Sequence, residues 1–128
     1  MIQGVIAQLI ASALKLTMGK GVFVEHGAGD KNIIVKLTTD IPVLKGEDDV
    51  NVGRARFQVL LRGYDVNSGF TTGRQIANLL VPFTSDSTTY KTEAYKVHWI
   101  AIYSLPTHFQ YEGVHYHSLN GEIAYTAL

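Results

Sequence analysis

The sequence predicts an α+β fold in which a mostly antiparallel sheet of about four to five strands carries two helices on one face. Residues 55–64 alternate, with Ala55, Phe57, Val59, Leu61 and Gly63 on one side and Arg56, Gln58, Leu60, Arg62 and Tyr64 on the other. That period of two is what a half-buried strand requires. Ile2, Val5, Ile6, Leu9, Ile10, Ala13 and Leu14 follow the i, i+3, i+4, i+7 series of an amphipathic helix. Phe70, Gly73, Ile76, Ala77, Leu80 and Val81 repeat helical spacing until Pro82 stops it.

Taken in order, the apolar opening lacks a basic leader and is interrupted by Gln3, Gln8, Ser12 and Lys15. It therefore reads as an amphipathic helix of the mature chain, not as a signal peptide. Gly19 and Gly21 end it. Val22-Phe23-Val24 is a short strand, residues 26–30 are its turn, and the β-branched run from Asn32 to Thr38 is a second strand, so the two are expected to form a hairpin. Residues 40–53 hold Pro42, Gly46 and the acidic triplet Glu47-Asp48-Asp49, a composition that suits an arm, a binding loop or a protruding hairpin on an otherwise single domain spanning residues 1–128. The strand over 55–64 then turns through Asp65-Val66-Asn67-Ser68-Gly69 into the second helix, and strand and helix are expected to pack on each other as the core nucleus.

Residues 84–89 read as a polar loop. Beyond it Tyr95, Val97, Trp99, Ala101, Tyr103 and Leu105 alternate with Lys96, His98, Ile100, Ile102 and Ser104, a strand nearly apolar on both faces. Pro106 closes it, residues 107–113 read as a turn or short loop, and a last strand begins at Val114. Asn120-Gly121 marks a bulge, a bend or a two-residue hairpin within that strand.

Composition bounds the function. Eleven basic residues balance eleven acidic ones, which argues against the strong positive field of a nucleic-acid binder but leaves a local patch open. The absence of cysteine excludes disulfides and thiolate metal sites. His115 and His117 share a strand face, and His98, His108 or Glu122 are the residues that would complete a metal shell; the spacing alone does not specify one, and no metal or cofactor is expected. Gly19-x-Gly21 and Gly27-x-Gly29 read as turn glycines, since neither sits between a strand and a Lys-Ser/Thr pair. There is no nucleophile elbow. Asp65 and Glu112 are the carboxylates to consider for acid–base work, yet their turn contexts point first to capping, and the chain is not expected to be an enzyme. The aromatic residues concentrated in the last third, among them Tyr103, Phe109, Tyr111 and Tyr116, suit a protein interface.

The order of segments resembles the tail terminator and tail-completion proteins of long-tailed bacteriophages, also described as minor capsid or head–tail joining proteins. The resemblance lies in the N-terminal amphipathic helix, in the strand–turn–helix from Phe57 through Asp65 to Leu80, and in the late pattern from Leu105 to Tyr116. It implies a virion subunit, assembled in the host cytoplasm, that forms a homo-hexameric ring, caps the finished tail tube and joins it to the head–tail connector. DNA would pass through such a ring without specific binding, and no membrane is involved. On this reading Arg62, Tyr64 and Asp65, the arm with Glu47, Asp48 and Asp49, and Tyr111, Glu112 and His115 contribute subunit or tube contacts, because they lie at strand ends where loops meet partners. Two other readings stay open: a head-completion or connector-adaptor protein of the same particle, and a small α+β ligand-binding or metal-dependent domain with His115, His117 and Glu112 in a pocket.

Overall fold

The computed structural model describes residues 2–45, 51–80 and 90–128. The elements run α1 (Ile2–Leu14), β1 (Val22–Val24), β2 (Asn32–Lys45), β3 (Asn51–Arg62), α2 (Val66–Leu80), β4 (Tyr90–Lys91), β5 (Tyr95–Ile102), β6 (Thr107–Tyr111) and β7 (Val114–Ala127). The expected α+β class is observed, as an open sheet whose neighbours follow the order β1-β2-β3-β7-β5-β4. β6 joins the same edge of β7 as β5, so the sheet has more strands than the sequence suggested.

Each strand of the centre alternates as its residues demand. Ala55, Phe57, Val59 and Leu61 are fully buried, and they face Ile123, Gly121, Leu119 and His117 across the β3–β7 ladder. Ile33 and Val35 continue this layer into β2. Above it α1 covers β1 and β2 with Ile2, Val5, Ile6 and Ile10, and α2 covers β7, β5 and β6 with Ile76 and Leu80. Fully burying each such aliphatic side chain contributes about 1.5–3 kcal/mol. Among the described residues, the opposite face of the sheet carries no helix.

Four expectations are corrected. β1 and β2 are not a hairpin: Val22, Phe23 and Val24 pair in parallel with Ile33, Ile34 and Val35. The connection must therefore run back along the strands, and it does so over the helix-free face, where the Asn32 amide donates to the carbonyls of Ala28 and Gly29 at 3.2 and 3.1 Å. Residues 107–113 are mostly strand: β6 resumes antiparallel pairing with β7 where β5 leaves it, so Tyr103 to Pro106 is an interruption in one long edge. Pro106 is buried against Gly73, where a Cβ would lie 2.7 Å from the proline ring. Asn120-Gly121 neither bends nor turns, and Gly121 is small because Phe57 and the Ala101 carbonyl occupy the space a Cβ would need, at 2.6 and 2.5 Å. Lastly, α2 lies over β7 and its far neighbours and not directly over β3.

The alternation in β5 also shifts. A bulge between Val97 and Trp99 leaves Val97 and Ile100 both fully buried, and it moves Trp99 to the helix-free side opposite Ala124. In the stretch 40–53, β2 and β3 stay paired as far as Lys45 and Asn51, and Val52 still pairs with Thr126 of β7. Residues 46–50, which include Glu47, Asp48 and Asp49, lie outside the described residues.

Phe57 lies at the centre of the core and Leu105 is 75% exposed. Phe57→Ala is expected to lower the unfolding free energy by about 3–5 kcal/mol, and Leu105→Ala to change it by less than about 0.5 kcal/mol, as read from denaturant midpoints at constant slope.

Candidate functional site

The helix-free face gathers the most chemistry. Because the even-numbered residues of β3 and β7 point there, Arg54, Arg56 and Arg62 share it with Tyr116, Ser118, Asn120 and Glu122. Lys36 enters from β2 opposite Gln58, and Lys96 enters from β5 opposite Thr126. Glu122 is only 1% exposed although it faces the open side, since its neighbours cover it. The Arg54 guanidinium places Nη2 at 2.9 Å from Oε1 and 3.0 Å from Oε2, the Tyr103 hydroxyl donates to Oε2, and Arg54 lies over the Trp99 ring, 5.6 Å from its centroid. Burial alone would raise the Glu122 carboxyl, but the hydrogen bonds from Tyr103 and Arg54 and the charges of Arg54 and Arg56 outweigh it and hold the pKa below the ordinary glutamate value. The same neighbourhood, burial first and then the Glu122 carboxylate, pushes the Tyr103 phenol up.

Beside this network lies an open groove of about 590 Å³ lined by Thr38, Arg56, Phe57, Tyr103, Asn120 and Gly121. Arg56 is exposed and forms no ion pair with a described residue.

On the opposite face, three imidazoles meet where β6 and β7 pass the start of α2. His108 pairs across the ladder with His117, their ring centroids 4.9 Å apart, and His108 Nε2 lies 2.9 Å from His115 Nδ1. His117 Nε2 donates to the Val66 carbonyl at 3.0 Å and Phe70 meets the ring edge-on at 5.0 Å. Gly69 allows this approach, since a Cβ there would lie 2.0 Å from the ring. Desolvation lowers the His117 pKa, and the nearby His108 and His115 lower it further against the Val66 carbonyl and Asp65, which raise it. Among the described residues no group of three His, Cys, Asp or Glu side chains is arranged to bind a metal ion. His98 and Glu122, named as possible completing ligands, are on the other side of the sheet, with His98 Nε2 2.6 Å from the Thr126 hydroxyl.

The structure separates the residues singled out from sequence. Arg62 donates from Nε to the Tyr116 hydroxyl at 3.3 Å and from Nη1 to the Gly29 carbonyl at 2.8 Å, which ties down the β1–β2 connection. Tyr64 is buried, its phenol pushed up by desolvation, with the Lys31 ammonium 4.5 Å above the ring. It left the expected outward face because Gly63, at φ 79°, turns the chain. Asp65 accepts a hydrogen bond from the Ser68 amide at 2.8 Å, and this capping bond is the first cause of its lowered pKa. Tyr111 is 62% exposed, Glu112 lies in the β6–β7 turn with φ 49°, and His115 belongs to the imidazole cluster. Arg54 and Arg56 were not singled out, and Tyr103 was named only among the aromatic residues suited to an interface; the one sequence signal for their meeting was Glu122, the single carboxylate of its strand.

Two pH responses follow. A depressed carboxyl stabilises the fold above its unfolded pKa and loses that contribution as pH falls through the folded value, so Glu122→Gln should flatten the loss of stability below about pH 4.5. A depressed imidazole loses its contribution as pH falls below about 6.5, its unfolded pKa, so His117→Gln should narrow the difference in Tm between pH 7.5 and 5.5, checked by calorimetry at both values.

No protein-family model and no curated protein matches the sequence. Among solved structures the chain is similar to one from the virion of a native gene transfer agent particle, at 12% identity and a TM-score of 0.56, covering 98% of this chain and 94% of that one. A second solved chain matches at 12% identity and a TM-score of 0.51 over 99% of this chain and 90% of its own length. At such identity the likeness is one of fold, and it extends over nearly the whole of each chain.

Proposed function

We propose that this protein is a structural component of a tailed, phage-like virion, and that it works as a ring subunit which ends the tail tube and joins it to the head connector. The observation that carries this reading is the shared fold, end to end, with a chain of a gene transfer agent virion. A domain built for assembly needs surfaces more than a cleft, and the exposed aromatic and apolar side chains Tyr103, Leu105, Phe109 and Tyr111 lie together along the β5–β6 edge. Tyr and Phe at such an edge supply contact area at little entropic cost. Strand β6 also leaves one backbone edge unpaired among the described strands, which invites a neighbour. No helix among the described residues is long and apolar enough to cross a membrane, in keeping with a virion component.

The reading is tested on particles assembled without this chain and viewed by electron microscopy. Overlong tails with unattached heads are the expected outcome. Tails of normal length with empty, unjoined heads would favour a head-completion role instead, and normal infectious particles would end the virion reading altogether.

A further inference from the structure

The helix-free face carries nearly one sign of charge in a chain whose formal charge is zero. The ladders place Lys36, Arg54, Arg56, Arg62, Lys91 and Lys96 on it, with Lys91 directly opposite Lys96. Among the residues whose side chains are described, Glu122 is the one acid on these strands, and it is buried and paired with Arg54. Glu25, Asp30, Asp65, Glu93 and Glu112 lie in connections between the elements. Arg62 donates to two neutral oxygens, the Tyr116 hydroxyl and the Gly29 carbonyl, so its charge stays uncompensated. Lys36, Arg56, Lys91 and Lys96 form no ion pair with a described residue.

Such a face costs the fold some stability. Like charges set directly opposite across a ladder, as Lys91 and Lys96 are, destabilise the pair. An anion lying over the face offsets that repulsion, and the dimensions suit a polymer better than a small ion. Arg54 and Arg62 stand eight residues apart on β3, roughly 26 Å at about 3.3 Å per residue. From Lys36 on β2 to Lys91 on β4 the sheet is four strand spacings wide, roughly 19 Å at about 4.8 Å each. A DNA duplex presents one phosphate charge about every 1.7 Å of its axis, so it matches a patch of this length with many contacts. Within the patch Arg56, Asn120 and Thr38 line the open groove, where a guanidinium fork, an amide and a hydroxyl can donate to phosphate oxygens. The aromatic rings of the face are committed to partners within the chain: Arg54 lies over Trp99, the Tyr103 hydroxyl donates to Glu122, and Phe109 stacks on Tyr116. The face therefore offers charge more than stacking platforms, which suits a duplex better than a single strand.

We propose that the helix-free face binds the phosphate backbone of double-stranded DNA without reading its sequence. This goes beyond the ring reading and needs no particular oligomer. The binding draws its strength from counterions released by the duplex, so it weakens steeply as salt rises.

The test is the fluorescence anisotropy of a labelled random duplex of roughly 30 base pairs, titrated with the native chain between about 50 and 200 mM salt. The native chain is expected to bind at the low end, with a logarithmic salt slope of about 0.9 per phosphate contacted. Arg56→Gln combined with Lys96→Gln, both at exposed positions, should weaken binding there at least about tenfold and make the slope shallower by about two. Gln58→Lys adds a cation between Lys36 and Asn120. It should strengthen binding and steepen the slope by about one, a gain that misfolding does not produce. Arg74→Gln, exposed on α2 in the other layer, should change neither quantity. Absence of binding by the native chain at the lowest salt overturns the proposal, and so does an equal loss on Arg74→Gln. Tighter binding of the single strand of the same sequence overturns the assignment to a duplex, and equal affinity for polyglutamate would give the face to an acidic protein instead.

Discussion

Strand β7 is hydrogen-bonded along almost its entire length on both sides, with β3 on one edge and β5 followed by β6 on the other. A strand held this way has no freedom of register, because a slip of one residue would exchange its buried and open faces. The rest of the molecule is arranged around that fact. His117, Leu119 and Ile123 are committed to the helices, and Glu122 is committed to the open side in the middle of the sheet. A carboxylate there must be satisfied by neighbours on adjacent strands, and Arg54 from β3 and Tyr103 beyond the end of β5 supply this from either side. Gly121 belongs to the same constraint, since the β3–β7 and β5–β7 pairings bring the Phe57 ring and the Ala101 carbonyl onto one point of the strand.

What was legible in the sequence was what depends on near neighbours along the chain. The alternation of β3 and the 3.6-residue spacing of both helices describe single elements, and their buried faces came out as Phe57, Val59, Ile6 and Ile76 indicated. The Asp65 cap was legible for the same reason, as its partner Ser68 is three residues away. The parallel β1–β2 pair was not, because a short strand, a glycine-rich turn and a second strand describe a hairpin equally well until the partner's direction is known. Strand β6 was hidden by Pro106, which stops local alternation without stopping the pairing that β7 imposes. The Val97–Trp99 bulge shifted a face that periodicity alone assigned wrongly.

The candidate sites follow the same division. Arg62, Tyr64 and Asp65 end a strand that meets a glycine turn and a helix, and there each also has a partner within the chain, Asp65 remaining exposed. The groove beside Arg56 draws on β2, β3, the end of β5 and β7, four segments spread over much of the chain, so no window of sequence contains it. Proximity of the imidazoles was half legible, from His115 and His117 alone, and it took β6 to bring His108 to them.

A balance of charge argued in the sequence against a strong positive field and left a local patch open. It carries a different meaning once the charges are placed. A protein whose partner is a polyanion gains by being basic throughout, whereas a chain that is neutral overall can still carry one basic face when its acids lie elsewhere. Among the described residues, Lys36, Arg54, Arg56, Arg62 and Lys96 share the face away from the helices with Glu122, which Arg54 pairs. The neutrality of the whole chain therefore does not describe this face, whose charge is set by the strands that the ladder pairings bring side by side.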